Sequence, residues 1–219
     1  GINAEYGDMP YDSSLTVFSP EGHLIQVQYA HKAVAKGTSA VGVCTTDGIV
    51  LAIEKKQTAR LQDPSTNIKL FDIDHHIFAT FSGLTADARQ LIQKLRQECQ
   101  QYRLTYAQPI SVSTIAHNIA THMQKHTQSG GQRPFGVTVI VGGKDEKGYS
   151  LFTCDPSGVY NQWKGVAIGN QSSKIQEHIE KNYKDEMKVN ELDQLARNAI
   201  GLIVEDQEDG IDTKIIQIK

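Results

Sequence analysis

The sequence has no basic surplus. Its 219 residues carry 22 Lys plus Arg against 25 Asp plus Glu, a formal charge of −3 at pH 7. A chain that neutralises nucleic-acid phosphates advertises Lys and Arg in excess or in runs; neither is present, so no nucleic-acid partner is expected. Cysteine is scarce too. Cys44, Cys99 and Cys154 are an odd count without a C-x-x-C pair, which suggests neither a disulfide framework nor a thiolate zinc site and fits a reducing compartment. Long apolar runs are missing: Gly48 to Ile53 and Val137 to Val141 are strand-sized, against the roughly 20 residues of a spanning helix. No membrane segment is expected. Residues 1–10 lack the basic, apolar and small-residue sections of a secretory signal and begin at Gly1 without a Met, so a trimmed or missing native start is expected and secretion is not. What remains, 39% hydrophobic and 21% charged residues, is the composition of a globular chain with one domain.

Residues 1–20, with Gly7, Pro10 and Pro20, have no sustained periodicity and read as an extended tail. Ser19-Pro20-Glu21-Gly22 then supplies cap-like residues, and His23 to Lys36 contains no Gly or Pro, which predicts a helix over 23–36. Its apolar residues Leu24, Ile25, Val27, Tyr29, Ala30, Ala33 and Val34 spread around the circumference, the pattern of a helix covered on more than one side. Strands are predicted at Thr38 to Thr45 and Ile49 to Lys55, joined through Thr46-Asp47-Gly48, and at Ile68 to Ile73 and His76 to Ser82. Two amphipathic helices follow, carried by Leu91, Ile92, Leu95, Cys99 and Tyr102 and by Val112, Ile115, Ala116, Ile119 and Met123. Strands return at Gly136 to Gly142, Tyr149 to Cys154 and Val166 to Gly169, with a type I turn expected at Asp155-Pro156-Ser157-Gly158. Helices around Ile175, Ile179 and Tyr183 and from Leu192 to Ile203 precede a last strand at Thr213 to Ile218. Each helix pair has one apolar face that needs a sheet, so four layers, helices outside two sheets, are the economical packing.

Several motifs fail on inspection. Gly37-Thr38-Ser39-Ala40-Val41-Gly42 has the glycine spacing of a phosphate loop, but Val43-Cys44 stands where Lys and Ser/Thr are needed. His122 and His126 are spaced as metal ligands on a helix, yet no general-base Glu follows His122, and a solvated helix face is expected. His75-His76 would point to opposite faces of a strand. The serine elbow is absent, because Asp155 stands two places before Ser157. One constellation is chemically coherent: Thr38 at the start of the first strand, Glu54 at the end of the second, and Lys69 at the start of the third. In a threonine hydrolase a free α-amine, titrating near pH 7.7–8.0, is the base for its own hydroxyl. An amide cannot take that proton, so Thr38 is silent unless the chain is cut at Gly37-Thr38.

Tyr11-Asp12, Leu15-Thr16-Val17-Phe18-Ser19-Pro20-Glu21-Gly22, Gln26-Val27 and Tyr29-Ala30 resemble the N-terminal signature of proteasome α subunits. The resemblance continues through Gly83-Leu84-Thr85-Ala86-Asp87-Ala88-Arg89, Thr127-Gln128, Arg133-Pro134-Phe135-Gly136 and Asp155-Pro156-Ser157-Gly158, in order along most of the chain. It implies an α+β fold: the four-layer α-β-β-α sandwich of N-terminal nucleophile hydrolases with an extra N-terminal helix. The domain reading is a gate tail over 1–20 and an α-subunit domain over 21–219 that includes helix 23–36. The implied function is a non-catalytic structural and gating subunit of the 20S core, in the outer heptameric ring, controlling substrate entry and docking regulatory particles in ubiquitin-dependent degradation.

By that resemblance no residue is catalytic. Tyr11, Asp12, Pro20 and Tyr29 match the residues that hold the gate open, and Lys69, Gly37, Gly83, Leu84 and His31 match the pocket that takes an activator's C-terminal tail. No cofactor and no metal are implied. The implied partners are neighbouring α subunits, β-ring subunits, and the tails of regulatory-particle ATPases and other activators, with no nucleic acid and no membrane, in cytoplasm and nucleus. Residues 83–104 and 127–136 most resemble the fourth position of a seven-membered eukaryotic ring. Departures from the family pattern are Ser13 for Arg, Gln28 for Glu, His31 where Arg is frequent, and a chain that ends at Lys219, before the C-terminal helix of most members. The alternative is an active β-type protease with Thr38 as nucleophile after processing, tuned by Lys69 and supported by Glu54. Glu205, Asp206, Glu208, Asp209 and Asp212 form a basic-free stretch, expected as a solvated loop before the last strand.

Overall fold

A computed structural model describes residues 20–55, 60–63, 69–128 and 133–219, with the side chains of 20–24 and 127–128 outside that description. In chain order the elements are α1 (Pro20–Ala35), β1 (Ala40–Thr45), β2 (Gly48–Glu54), β3 (Leu70–Asp74), β4 (Ile77–Gly83), α2 (Thr85–Tyr106) and α3 (Val112–Gln128). They continue as β5 (Val137–Asp145), β6 (Gly148–Cys154), β7 (Tyr160–Gln162), β8 (Gly165–Ile168), α4 (Ser172–Asn182), α5 (Val189–Gly201) and β9 (Ile211–Ile216). One sheet has the order β8-β1-β2-β9 and the other β3-β4-β5-β6-β7, and all their pairings are antiparallel.

The two-residue alternation of the strands divides the interior, among the described residues, into three cores. In β1 and β2, Val41, Val43, Val50 and Ala52 point outward to α4 and α5, where Ile175, Ile179, Leu192, Leu195 and Ala199 cover them. The intervening Ala40, Cys44, Ile49, Leu51 and Ile53 point inward and meet Ile140 and Leu151 of the other sheet. On that sheet Ile77, Ala79, Phe81, Val137, Val139 and Val141 point outward to α2 and α3. Both faces of each sheet are therefore covered, and this is why β1 is buried at every position. Gly42 belongs to this packing: a Cβ there would lie 2.9 Å from Leu151 Cδ1. Gly42, the second of the glycines that imitate a phosphate loop, lets the sheets approach.

The expected helices and most strands appear within a few residues of their expected bounds, and the Asp155 turn closes through Gly158 N–H donating to the Asp155 carbonyl at 3.0 Å. Three local expectations are corrected. Gly48 is not in the β1–β2 turn but in β2, paired with Thr45. His75 and His76 lie in the turn between β3 and β4. The His122 face is not solvated: His122 Nε2 is 2.5 Å from Glu98 Oε1 across α2 and α3, and the His126 ring lies 3.9 Å from that of Phe135. The acidic stretch is exposed from Glu205 to Asp209, while Asp212 lies in β9.

Candidate functional site

α1 seats itself on the ends of β4 and β5 and against α3. Gln26, Ala30 and Val34, spaced by four, are its buried stripe. Ile25, Val27, Tyr29 and Ala33 are half-buried, and Gln28, His31, Lys32, Ala35 and Lys36 are exposed. The helix closes on Gly37, whose N–H donates to the Val34 carbonyl at 2.9 Å. Ser82 Oγ donates to the same carbonyl at 3.2 Å and ties the helix end to β4.

Thr38 follows directly and is buried. Lys69 Nζ donates to Thr38 Oγ1 at 2.5 Å and lies 5.7 Å from the Phe81 ring centroid, while Thr80 Oγ1 donates to the Lys69 carbonyl at 2.8 Å. Glu54 Oε2 accepts the Ser39 N–H at 3.1 Å, and Glu54 N–H donates to the Ser39 carbonyl at 2.9 Å. The fold thus brings Lys69 onto the Thr38 hydroxyl, whereas Glu54 bonds the backbone of Ser39, one residue along. Two participants have no sequence signal. Asn170 N–H donates to the Gly37 carbonyl at 2.9 Å, and Ser39 Oγ donates to the Asn170 carbonyl. Gly169, at φ +91°, makes room, since a Cβ there would stand 2.4 Å from the Thr38 carbonyl oxygen.

The chemistry of this cluster is incomplete in one respect. Lys69 can stabilise negative charge on the Thr38 oxygen, but a donor does not remove the hydroxyl proton. The group that would do so in a threonine nucleophile is the α-amine, and here the Thr38 nitrogen is acylated by Gly37, whose carbonyl is itself held by Asn170.

A second feature adjoins the first. Gly37 packs on Gly83: a Cβ on Gly37 would lie 2.6 Å from the Gly83 nitrogen. Gly83 adopts φ +122°, and Leu84, next in the chain, is 39% exposed with its N–H donated to the Gly136 carbonyl at 2.8 Å. Gly37, Gly83 and Leu84 thus form one corner, and Lys69 reaches its edge through Thr38. His31 is exposed on α1. Tyr29 is half-buried there, with Lys32 Nζ 5.6 Å from its ring centroid. Pro20 opens α1, its side chain outside the described residues, where Tyr11 and Asp12 also lie.

Known protein families match residues 11–218. Residues 34–218 match the family model described as proteasome subunit, and residues 11–33 match the model of the N-terminal signature of A-type proteasome subunits. The chain is 49% identical over 210 residues to the alpha type-7 proteasome subunit of Dictyostelium discoideum, covering 95% of this chain and 84% of that protein. It is 51% identical over 177 residues to the alpha type-7-B proteasome subunit of Arabidopsis thaliana, covering 80% and 71%. The alpha proteasome subunit of Thermococcus sibiricus is 45% identical over 210 residues, covering 95% and 80%. The α-type signature over 11–33 argues against the active β-type alternative for Thr38. The chain belongs to the proteasome subunit family, with the subunits of α type.

Proposed function

We propose that the chain is a catalytically silent, structural and gating subunit of the outer ring of the 20S core. The observation that carries this reading is the α-type signature over 11–33 joined to α1, which seats on β4, β5 and α3 directly before Thr38; while that helix is retained, the Thr38 nitrogen stays acylated by Gly37 and cannot serve as base. α1 supports the structural part. Its half-buried Ile25, Val27 and Ala33 offer apolar surface beyond its own seat, as a helix shared with ring neighbours requires.

The gating part rests on the resemblance at Tyr11, Asp12, Pro20 and Tyr29. The docking part rests on the corner at Gly37, Gly83 and Leu84 with Lys69 at its edge. There a lysine cation would pair with the C-terminal carboxylate of a regulatory-particle ATPase tail or another activator. The same reading places the particle in cytoplasm and nucleus, in ubiquitin-dependent degradation, with this chain in the fourth ring position.

Particles carrying Lys69→Ala test the docking assignment. A photoreactive tail peptide with a free carboxylate should need about tenfold more concentration to label this chain half-maximally, the effect of losing a bond to a charged group. Ring assembly, read as native mass, should not change. Labelling equal to that of the parent particle would overturn the pocket.

A further inference from the structure

Asp87 lies in the first turn of α2, its side chain 8% exposed. Both carboxylate oxygens accept from one guanidinium: Arg133 Nη1 donates to Oδ2 and Nη2 to Oδ1, each at 2.6 Å. Oδ2 also accepts the Gly136 N–H at 2.9 Å. A bidentate charge-assisted pair fixes direction as well as distance. From Gly136 the connection continues to the corner described above. Its carbonyl accepts the Leu84 N–H at 2.8 Å, and a Cβ on Gly136 would stand 2.7 Å from Leu84 Cδ1. Gly83 is closer still, for a Cβ there would fall 2.0 Å from the Gly136 carbonyl oxygen.

One carboxylate thereby sets the approach to β5 and, through Gly136, both residues of the Gly83–Leu84 corner. A carboxylate in the first turn of a helix is favourable by itself. That benefit requires neither the arginine fork nor the bond to Gly136, so capping α2 does not account for the arrangement. A shift of the corner would also reach α1, because Gly37 packs on Gly83 and Ser82 holds the Val34 carbonyl.

We propose that Asp87 and Arg133 are positioning residues for tail docking, a latch that holds the Gly83–Leu84 wall at the spacing an activator's C-terminal peptide requires. The inference rests on the docking reading of that corner. Neither residue has to touch the peptide; both act through Gly136. Asp87→Asn keeps the shape and an acceptor for Gly136 N–H but loses the charge and one of the two acceptors facing the guanidinium. Arg133→Lys keeps the charge and loses the fork.

Particles carrying the parent chain, Lys69→Ala, Asp87→Asn or Arg133→Lys are titrated with the photoreactive tail peptide, as free acid and as C-terminal amide, and labelling of this chain is read. The half-maximal concentration of the free acid should rise about tenfold for Asp87→Asn and about threefold for Arg133→Lys, with maximal labelling and native mass unchanged. Hydrogen exchange should quicken at the Leu84 and Gly136 amides without spreading along α2, which a general loss of stability would not produce. An unchanged half-maximal concentration in the Asp87→Asn particle, alongside a raised one for Lys69→Ala, overturns the latch and leaves the docking reading standing. No response to Lys69→Ala overturns the docking reading and the latch with it. If Asp87→Asn particles do not assemble, Arg133→Lys decides the matter by the same comparison.

Discussion

Thr38 has Lys69 on its hydroxyl and Glu54 on the neighbouring Ser39, and Gly37 precedes it in the chain, so a single acyl bond decides whether its nitrogen could serve as base. Thr38, Glu54 and Lys69 are legible in the sequence because each is a chemical group at a strand end, and strand ends converge where hairpins pack. Ser39 and Asn170 are not, since they act through backbone bonds between segments far apart in the chain. His122 deceives for a related reason: a polar residue on a helix face looks solvated until a second helix brings a partner such as Glu98. Asp74 shows how such pairing reaches stability. Burial alone would raise its pKa, but bonds from Arg103 and the His75 N–H, with the charge of Arg103, hold the carboxyl below the usual carboxylate range. A lowered folded pKa gives stability that is present above the unfolded value of about 3.9 and is lost as pH falls through the folded one. Asp74→Asn should therefore cost about 1 kcal/mol at pH 7, a figure kept small because Arg103 is partly exposed. That difference should shrink below about pH 4 in denaturant titrations; a difference independent of pH would refute the pairing.

At the scale of elements, periodicity carries most of what the sequence discloses. α2 and α3 bury the residues that recur at helical spacing, and β1, β2, β4 and β5 alternate between cores as a two-residue period demands. β7 leaves no such signal, because its three residues, Tyr160–Gln162, are all exposed and show no apolar alternation. The neighbours β8 beside β1 and β9 beside β2 are equally hidden, because pairing between distant strands depends on the assembled layers. α1 lies largely within the α-type signature, and its buried stripe of Gln26, Ala30 and Val34 makes its seat testable. Ala30→Glu sets a carboxylate at a fully buried position against the sheet ends and should destabilise the seat by about 2–3 kcal/mol. Gln28→Glu changes charge on the exposed face and should be nearly neutral. Limited proteolysis over residues 20–36 should quicken for the first variant and not the second. Equal protection in both would contradict the seat.

At the scale of the molecule, the near balance of charge that argues against a nucleic-acid partner suits a chain whose partners are other subunits of its own family. Among the described residues the sandwich encloses three cores, and α1 seats on β4, β5 and α3. The resemblance predicts both the sandwich and the family, while periodicity and composition reach only the layers. The proposed role requires this subunit to keep Thr38 acylated and silent within an assembled particle. The direct measurement is the intact mass of this chain, taken from assembled particles after exposure to a covalent threonine-directed inhibitor. A non-catalytic subunit should retain the residues before Thr38 and carry no adduct. A chain beginning at Thr38 and bearing the inhibitor would contradict that role.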